Sequence, residues 1–251
     1  MYIPYSSLAW GTIGHRVVGQ IAEQYLTPKA KAAIQKILGN ESIAMVSTWA
    51  DFIRSDSNYG YLATWHYINF TDSTLNETSF NKVLKADTST DAYTKINFII
   101  EQLKNKTLST EKQRLYLKML IHIIGDIHQP LHAGRENDKG GNKIKVQWFY
   151  QPSNLHAVWD EKLIDNQQLS YTEYANYINH TTTNQVKEWQ STSLNHWLFE
   201  SYQLVNKVYA EASLIDLKLG YRYNFDHIQT VNSQLLKAGV RLAGILNKIF
   251  S

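Results

Sequence analysis

Apolar residues recur every three or four positions along most of the chain, the period of helices that bury one face. The clearest case is Thr27-Pro28 ahead of the run KAKAAIQKIL and Gly39. It supplies a capping hydroxyl, a proline where a helix has no N–H bond to lose, and a glycine stop. Helical periods continue over residues 43–54, 92–103, 154–163, 171–179, 193–212 and 224–250. Another opens at Thr110, with Gln113 completing a capping box, and carries Leu120, Ile123, Ile124 and Ile127. It ends before Gln129-Pro130, because the residue ahead of a proline is pushed out of the helical region. One segment switches to period two: KIKVQWF, residues 143–149, behind Gly140-Gly141. That alternation predicts a strand, one arm of a small hairpin near 143–150. Residues 71–90 and 133–141 read as exposed loops. No repeat or linker interrupts the pattern, which predicts one all-α, mainly helical domain over residues 10–251.

Composition narrows the chemistry. A chain of 251 residues buries enough surface to need no covalent staples. It has no cysteine, which excludes disulfide scaffolds, thiol catalysis, zinc fingers and iron–sulfur clusters. Any metal must therefore be held by His, Asp, Glu or backbone ligands. The balance of 25 basic to 22 acidic residues is too even to argue nucleic-acid binding from charge alone. No apolar run is long enough to span a membrane. The opening MYIPYSSLA ends on small residues at Ser7 and Ala9. They fit a signal-peptidase cut before Trp10, so residues 1–9 read as the stub of a secretion signal and the protein as secreted or periplasmic.

Nine histidines remain to be explained. His122 and Asp126 are four apart on the helix that ends at Pro130, and His156 and Asp160 repeat the spacing. Residues so spaced share a helix face, with Cβ atoms about 5–6 Å apart, so an imidazole and a carboxylate can converge on one cation. His132 follows just past the proline. Isoleucines surround His122, and a buried imidazole and carboxylate must be paired or bind metal. Imidazole with carboxylate favours zinc among abundant ions. Trp49-Ala50-Asp51 with Arg54, and Trp65-His66-Tyr67, place further polar groups in apolar runs.

Together these segments resemble the zinc-dependent single-strand nucleases and 3′-nucleotidases of the S1/P1 family. The matching pieces are Trp10-Gly11 with Gly14-His15, Trp49-Ala50-Asp51 with Arg54, His66-Tyr67, the string from His122 to His132 (HIIGDIHQPLH), Gly140-Gly141-Asn142, Asn154-Leu155-His156 with Trp159-Asp160, and AGVRLAGILN near the end. The resemblance runs from Trp10 to about residue 250. It implies a helical fold related to bacterial zinc phospholipases C, with three zinc ions in a cleft. One zinc takes the free amino group and carbonyl of Trp10, with His15 and Asp126. A second takes Asp51, His66, His122 and the shared Asp126. A third takes His132, His156 and Asp160.

The same resemblance assigns roles. A water between the paired zincs attacks phosphorus, Asp51 orients it or takes its proton, and the third zinc stabilises the departing 3′ oxygen. Arg54 binds the phosphate, and Tyr67 stacks a base. Asn69 stands where fungal members carry an aspartate that bonds a base edge, so base preference is expected to differ. The implied substrates are single-stranded DNA, RNA and 3′-nucleotides, with no obligate protein partner. His128 is expected to be structural, His180 a loop residue and His196 no ligand. Two other readings use the same residues: a phospholipase C-type lipid phosphodiesterase, and a non-catalytic zinc-stabilised binding protein.

Overall fold

The computed structural model describes residues 10–105, 107–214 and 216–250. The expected leader, residues 1–9, lies outside the described residues. The fold is mainly helical, as expected. In order the helices are α1 (Thr12–Gln24), α2 (Pro28–Leu38), α3 (Ile43–Val46), α4 (Trp49–Phe52), α5 (Glu77–Ala86), α6 (Ala92–Lys104), α7 (Thr110–Asp126), α8 (Leu155–Ala157), α9 (Leu163–Asp165), α10 (Tyr171–Ile178), α11 (Thr183–Ser191), α12 (Leu194–Ala212) and α13 (Tyr221–Phe250). Between them lie 3₁₀ turns over Ile53–Ser55, Ser57–His66 and Pro130–Ala133, and a π-type turn over Val158–Lys162.

Helix α7 is the axis of the molecule. Every residue from Leu117 to Asp126 is buried, which only a helix covered on all sides can be. Helices α6, α4, α13 and α1 pack around it. The long α13 carries its apolar stripe from Val231 to Leu246 across α1. Two-thirds of the way along it Arg241 is buried, pairing with Glu200 (Nη1–Oε2 2.6 Å) and donating to His128 Nε2 at 3.1 Å. Burial works against a charged Glu200, but Arg241 and Lys237 outweigh it and hold its carboxyl down to about 2.

Caps confirm several boundaries and correct others. Thr27 accepts from Ala30 N–H at 3.2 Å, and Gly39 closes α2 at φ 71°. The expected Thr110–Gln113 box is displaced: Ser109 is the cap of α7, and Gln113 instead donates to Leu108 O. The helix expected over 43–54 is broken into α3 and α4. Ser47 sits at the break, its hydroxyl donating to Ala44 O and its carbonyl accepting from His122 Nδ1 at 2.6 Å. The loop expected over 71–90 contains α5, whose only buried side chains are Phe80 and Leu84, an i,i+4 pair too brief to stand out in the sequence. Helices α1 and α11 also fall where the pattern predicts none.

The predicted strand is β1 (Lys145–Trp148), paired antiparallel with β2 (Gln151–Asn154). The turn residues Phe149 and Tyr150 both have positive φ, which glycine normally supplies. Phe149 is held there by a backbone bond to Leu219 O and by edge packing on Tyr221 at 4.6 Å. Leu219 belongs to a third strand, β3 (Lys218–Leu219), which runs parallel to β1. Two residues leave no periodicity to read, so this strand has no signal in the sequence.

Candidate metal centre

His122 and Asp126 lie on one face of α7, with His122 Nε2 3.3 Å from Asp126 Oδ2. Helix α1 crosses here and brings in His15. Its ring stacks on that of His122, centroids 3.9 Å apart, and its Nε2 lies 3.2 Å from Asp126 Oδ1. This approach requires Gly125, because a Cβ there would lie 2.9 Å from His15 Nδ1. From α4 comes Asp51, its Oδ1 3.7 Å from His122 Nε2. His66, at the end of its 3₁₀ segment, puts Nδ1 3.0 Å from Asp126 Oδ2 and 3.0 Å from His122 Nε2. His15, Asp51 and His122 form one group, and His66, His122 and Asp126 another, that could hold a metal ion, with ligand atoms within 4.8 Å of one another.

A third group joins His132, His156 and Asp160. Asp160 Oδ2 is 3.0 Å from His156 Nε2, and Oδ1 is 3.7 Å from His132 Nε2. Gln129 donates from Nε2 to Asp160 Oδ1, while its own Oε1 accepts from Leu131 N–H. The groups are tied together by backbone. His132 Nδ1–H donates to His66 O at 2.6 Å, and Ile68 N–H donates back to His132 O at 2.9 Å. Trp10 is fully buried, and the next residue's N–H, of Gly11, is bonded to Asp160 O at 2.7 Å.

Two observations test whether these side chains suit a cation. First, His122, His132 and His156 each direct Nδ1 at a backbone carbonyl, of Ser47, His66 and Gly140 respectively, all at 2.6 Å. A carbonyl accepts only, so each Nδ1 carries a proton and Nε2 is the nitrogen that faces the group, the arrangement that orients metal-binding imidazoles. Second, buried polar atoms in the centre lack any hydrogen-bond partner: both nitrogens of His15, His66 Nε2, His132 Nε2, Asp51 Oδ1 and Asp126 Oδ1. Each such atom costs about 1–3 kcal/mol unless something else satisfies it. The donor set of imidazole and carboxylate fits a divalent transition ion.

The electrostatics agree. Burial works against charge on Asp126, yet His122 and the other histidines hold its carboxyl well below the usual range. Burial also disfavours a charged His122, but Asp126 and Asp51 outweigh it and raise its pKa to about 9. His156 is raised in the same way by Asp160 against burial, whereas burial prevails at His15 and His132 and lowers both.

The centre opens into a cleft of about 590 Å³. Arg54, Tyr67 and Asn69 line it together with His66, His132 and His156. Arg54 Nη1 is 3.9 Å from Asp51 Oδ1. Tyr67 and Asn69 alternate outward with buried Ile68 and Phe70. Sequence reasoning missed the roles of Gln129, of Gly125 and of the carbonyls of Ser47 and Gly140. Gln129 and Gly125 lie inside the HIIGDIHQPLH string and were legible as positions. The carbonyls carry no signal, since any residue supplies one.

The remaining histidines are accounted for. His128 donates from Nδ1 to Ile124 O at 2.8 Å, and burial, then Arg241, pushes its pKa to about 3, so it is a neutral acceptor for Arg241. His180 is an exposed loop residue. His196 pairs with Glu77 on the surface. His227 packs on Trp159 and Tyr223 and bonds Glu211.

The S1/P1 Nuclease family model matches residues 10–251. Endonuclease 3 of Arabidopsis thaliana is 31% identical, over 98% of this chain and 90% of the plant protein. Endonuclease 4 of the same plant is 30% identical, over 98% and 90%. Nuclease P1 of Penicillium citrinum is 30% identical, over 96% of this chain and 97% of the fungal protein.

Proposed function

The chain belongs to the S1/P1 nuclease family, and from that premise we propose that it is a zinc-dependent phosphodiesterase of single-stranded DNA and RNA. It leaves 5′-phosphorylated products and also removes 3′-phosphates from nucleotides. The observation that carries this reading is the convergence of three His/Asp groups at the floor of one cleft. Trp10, His15 and Asp126 would hold one zinc, Asp51, His66, His122 and Asp126 a second, and His132, His156 and Asp160 a third. Bound zinc lowers the pKa of water toward neutrality and acts as a Lewis acid on phosphoryl and leaving oxygens.

The chain's own groups do the rest. Asp51 Oδ1, buried and without a hydrogen-bond partner, orients the attacking water and takes its proton. Arg54, one-third exposed beside it, donates to the phosphate as charge builds on its oxygens. Tyr67 stacks a base, and the Asn69 amide offers a donor and an acceptor to its edge. Ligation by Trp10 needs a free amino group, so the reading includes cleavage before Trp10 and an extracytoplasmic location. The relatives are named nucleases and endonucleases, which weighs against the lipid alternative.

The test is metal analysis of protein beginning at Trp10, with single-stranded DNA and phosphatidylcholine assayed before and after chelation. Zinc-dependent cleavage of the DNA alone is expected. Turnover of the lipid, or full activity after chelation, would overturn the reading.

A further inference from the structure

The 3₁₀ segment Ser57–His66 is a ridge with a cavity on each side. Ala63 and His66 face the cleft, while Tyr59 and Tyr61 face a second groove of about 450 Å³, closed by Trp49 and the first turns of α7. We propose that this groove binds a further stretch of the single strand, running over the ridge out of the cleft. The inference rests on the nucleic-acid reading above and extends it to a second site.

Continuity is the first argument. Trp49 opens the short helix that carries Asp51 and leads into Arg54, so the groove begins behind the reacting centre. Tyr61 lies five residues before His66, about 10 Å along the 3₁₀ run at roughly 2 Å per residue, and Tyr67 follows as the extended residue that ends the ridge. The neighbouring row holds Gly60 and Ala63, and a Cβ at Gly60 would meet nothing within 4 Å. A chain lying along the ridge with one base on Tyr67 therefore has clear passage to Tyr61.

Chemistry is the second. Single-strand sites combine rings that stack bases with cations that follow the backbone. Tyr61 is 55% exposed and meets Trp65 edge-on at 5.8 Å, and Tyr59 meets Trp49 at 5.6 Å. Lys112, Arg114 and Lys118 line the same groove, and Lys95 Nζ lies 5.0 Å over Trp65. Glu41, outside the wall, pairs with Arg114 and Lys118, and Glu111 is the acid in the wall. Among the described residues neither Lys95 nor Lys112 has a carboxylate partner, so the balance favours a polyanion. Lys112 in the wall beside the exposed ring of Tyr61 pairs a backbone-following cation with a base-stacking face, which suits a single strand better than a protein partner.

The test compares KM and kcat for a long single strand and for a dinucleotide in wild type, Tyr61→Ala, Tyr61→Phe and Lys112→Glu. Tyr61→Ala and Lys112→Glu should raise KM for the long strand on the order of tenfold, with kcat and dinucleotide cleavage unchanged. Tyr61→Phe should behave as wild type, and Lys112→Glu should flatten the dependence of binding on salt. An unchanged long-strand KM in Tyr61→Ala overturns the groove while leaving the enzymatic reading intact. If wild type cleaves neither substrate, that reading fails first. Anisotropy of a labelled single strand then decides the groove: weaker binding to Tyr61→Ala supports it, equal binding overturns it.

Discussion

The molecule contains the spacing H-x-x-x-D twice, and the two copies have different surroundings. His122 and Asp126 lie on a regular helix at the centre of the fold, and α1, α4 and the 3₁₀ ridge each add a ligand-type side chain. Asp126 is approached by His15 on one oxygen and by His66 and His122 on the other. His156 and Asp160 straddle a short helix and a π-type turn, and only His132 joins them. Asp160 spends its second oxygen on Gln129 as well as facing His132. Equal sequence spacing thus yields a shared carboxylate in one place and a locally anchored one in the other. The first region depends on tertiary packing from several elements. The second is assembled from residues 129–160.

The comparison breaks or holds on Asp126→Asn against Asp160→Asn. If Asp126 is shared as proposed, the first should strip metal from two sites and abolish nuclease activity, whereas the second should empty only the group of His132, His156 and Asp160. Metal analysis of the two variants checks this, and equal losses would show that Asp126 is not shared. Next in size is Arg54→Ala, expected to lower turnover by about 10²–10³ with metal content intact. Steady-state kinetics beside metal analysis would reveal Arg54 as a bystander if the rate held.

Gln129→Ala should act on the third group alone. An outer partner that orients a ligand carboxylate is worth about 10–100-fold in metal affinity. Competition titration against a chelator should show one weakened site and the others unmoved. The last expectation concerns pH. His122 holds its proton up to about 9, so metal must displace that proton throughout the neutral range. Affinity of the first region should rise about tenfold per pH unit until about pH 9 and then level. In the third group His132 is lowered and imposes no such demand, whereas His156, raised by Asp160, imposes one of its own. Affinity flat between pH 7 and 9 would contradict the assignment of His122.

Much of this was legible in the sequence because it is periodic or local. The capped helix at Thr27-Pro28, the strand beginning near Lys145 and the helix ending before Pro130 announce themselves in runs of a few residues. Asp51, Arg54, His66, His122, Asp126, His132, His156 and Asp160 were likewise visible as residue types at telling intervals, whereas His15 and the role of Tyr67 entered only with the family resemblance. Some errors fall where the signal is short or displaced by one position: α5 rests on Phe80 and Leu84, β3 has two residues, and Ser109 stands one place before the expected cap, whereas α1 was missed despite thirteen residues and an apolar face.

By itself, the sequence determined which imidazoles and carboxylates were available to the three groups, since identity and spacing are fixed along the chain. Only the tertiary structure decided how they meet. Helix α1 comes within reach of α7 because Gly125 lacks a side chain, a fact invisible until the two helices are crossed. Helix α3 stops at Ser47, where the carbonyl accepts the proton of His122 and fixes which nitrogen faces the metal group. Such contacts join residues 75 positions apart. A one-dimensional pattern records nothing of them, because their energy comes from packing that forms only when the whole chain has folded.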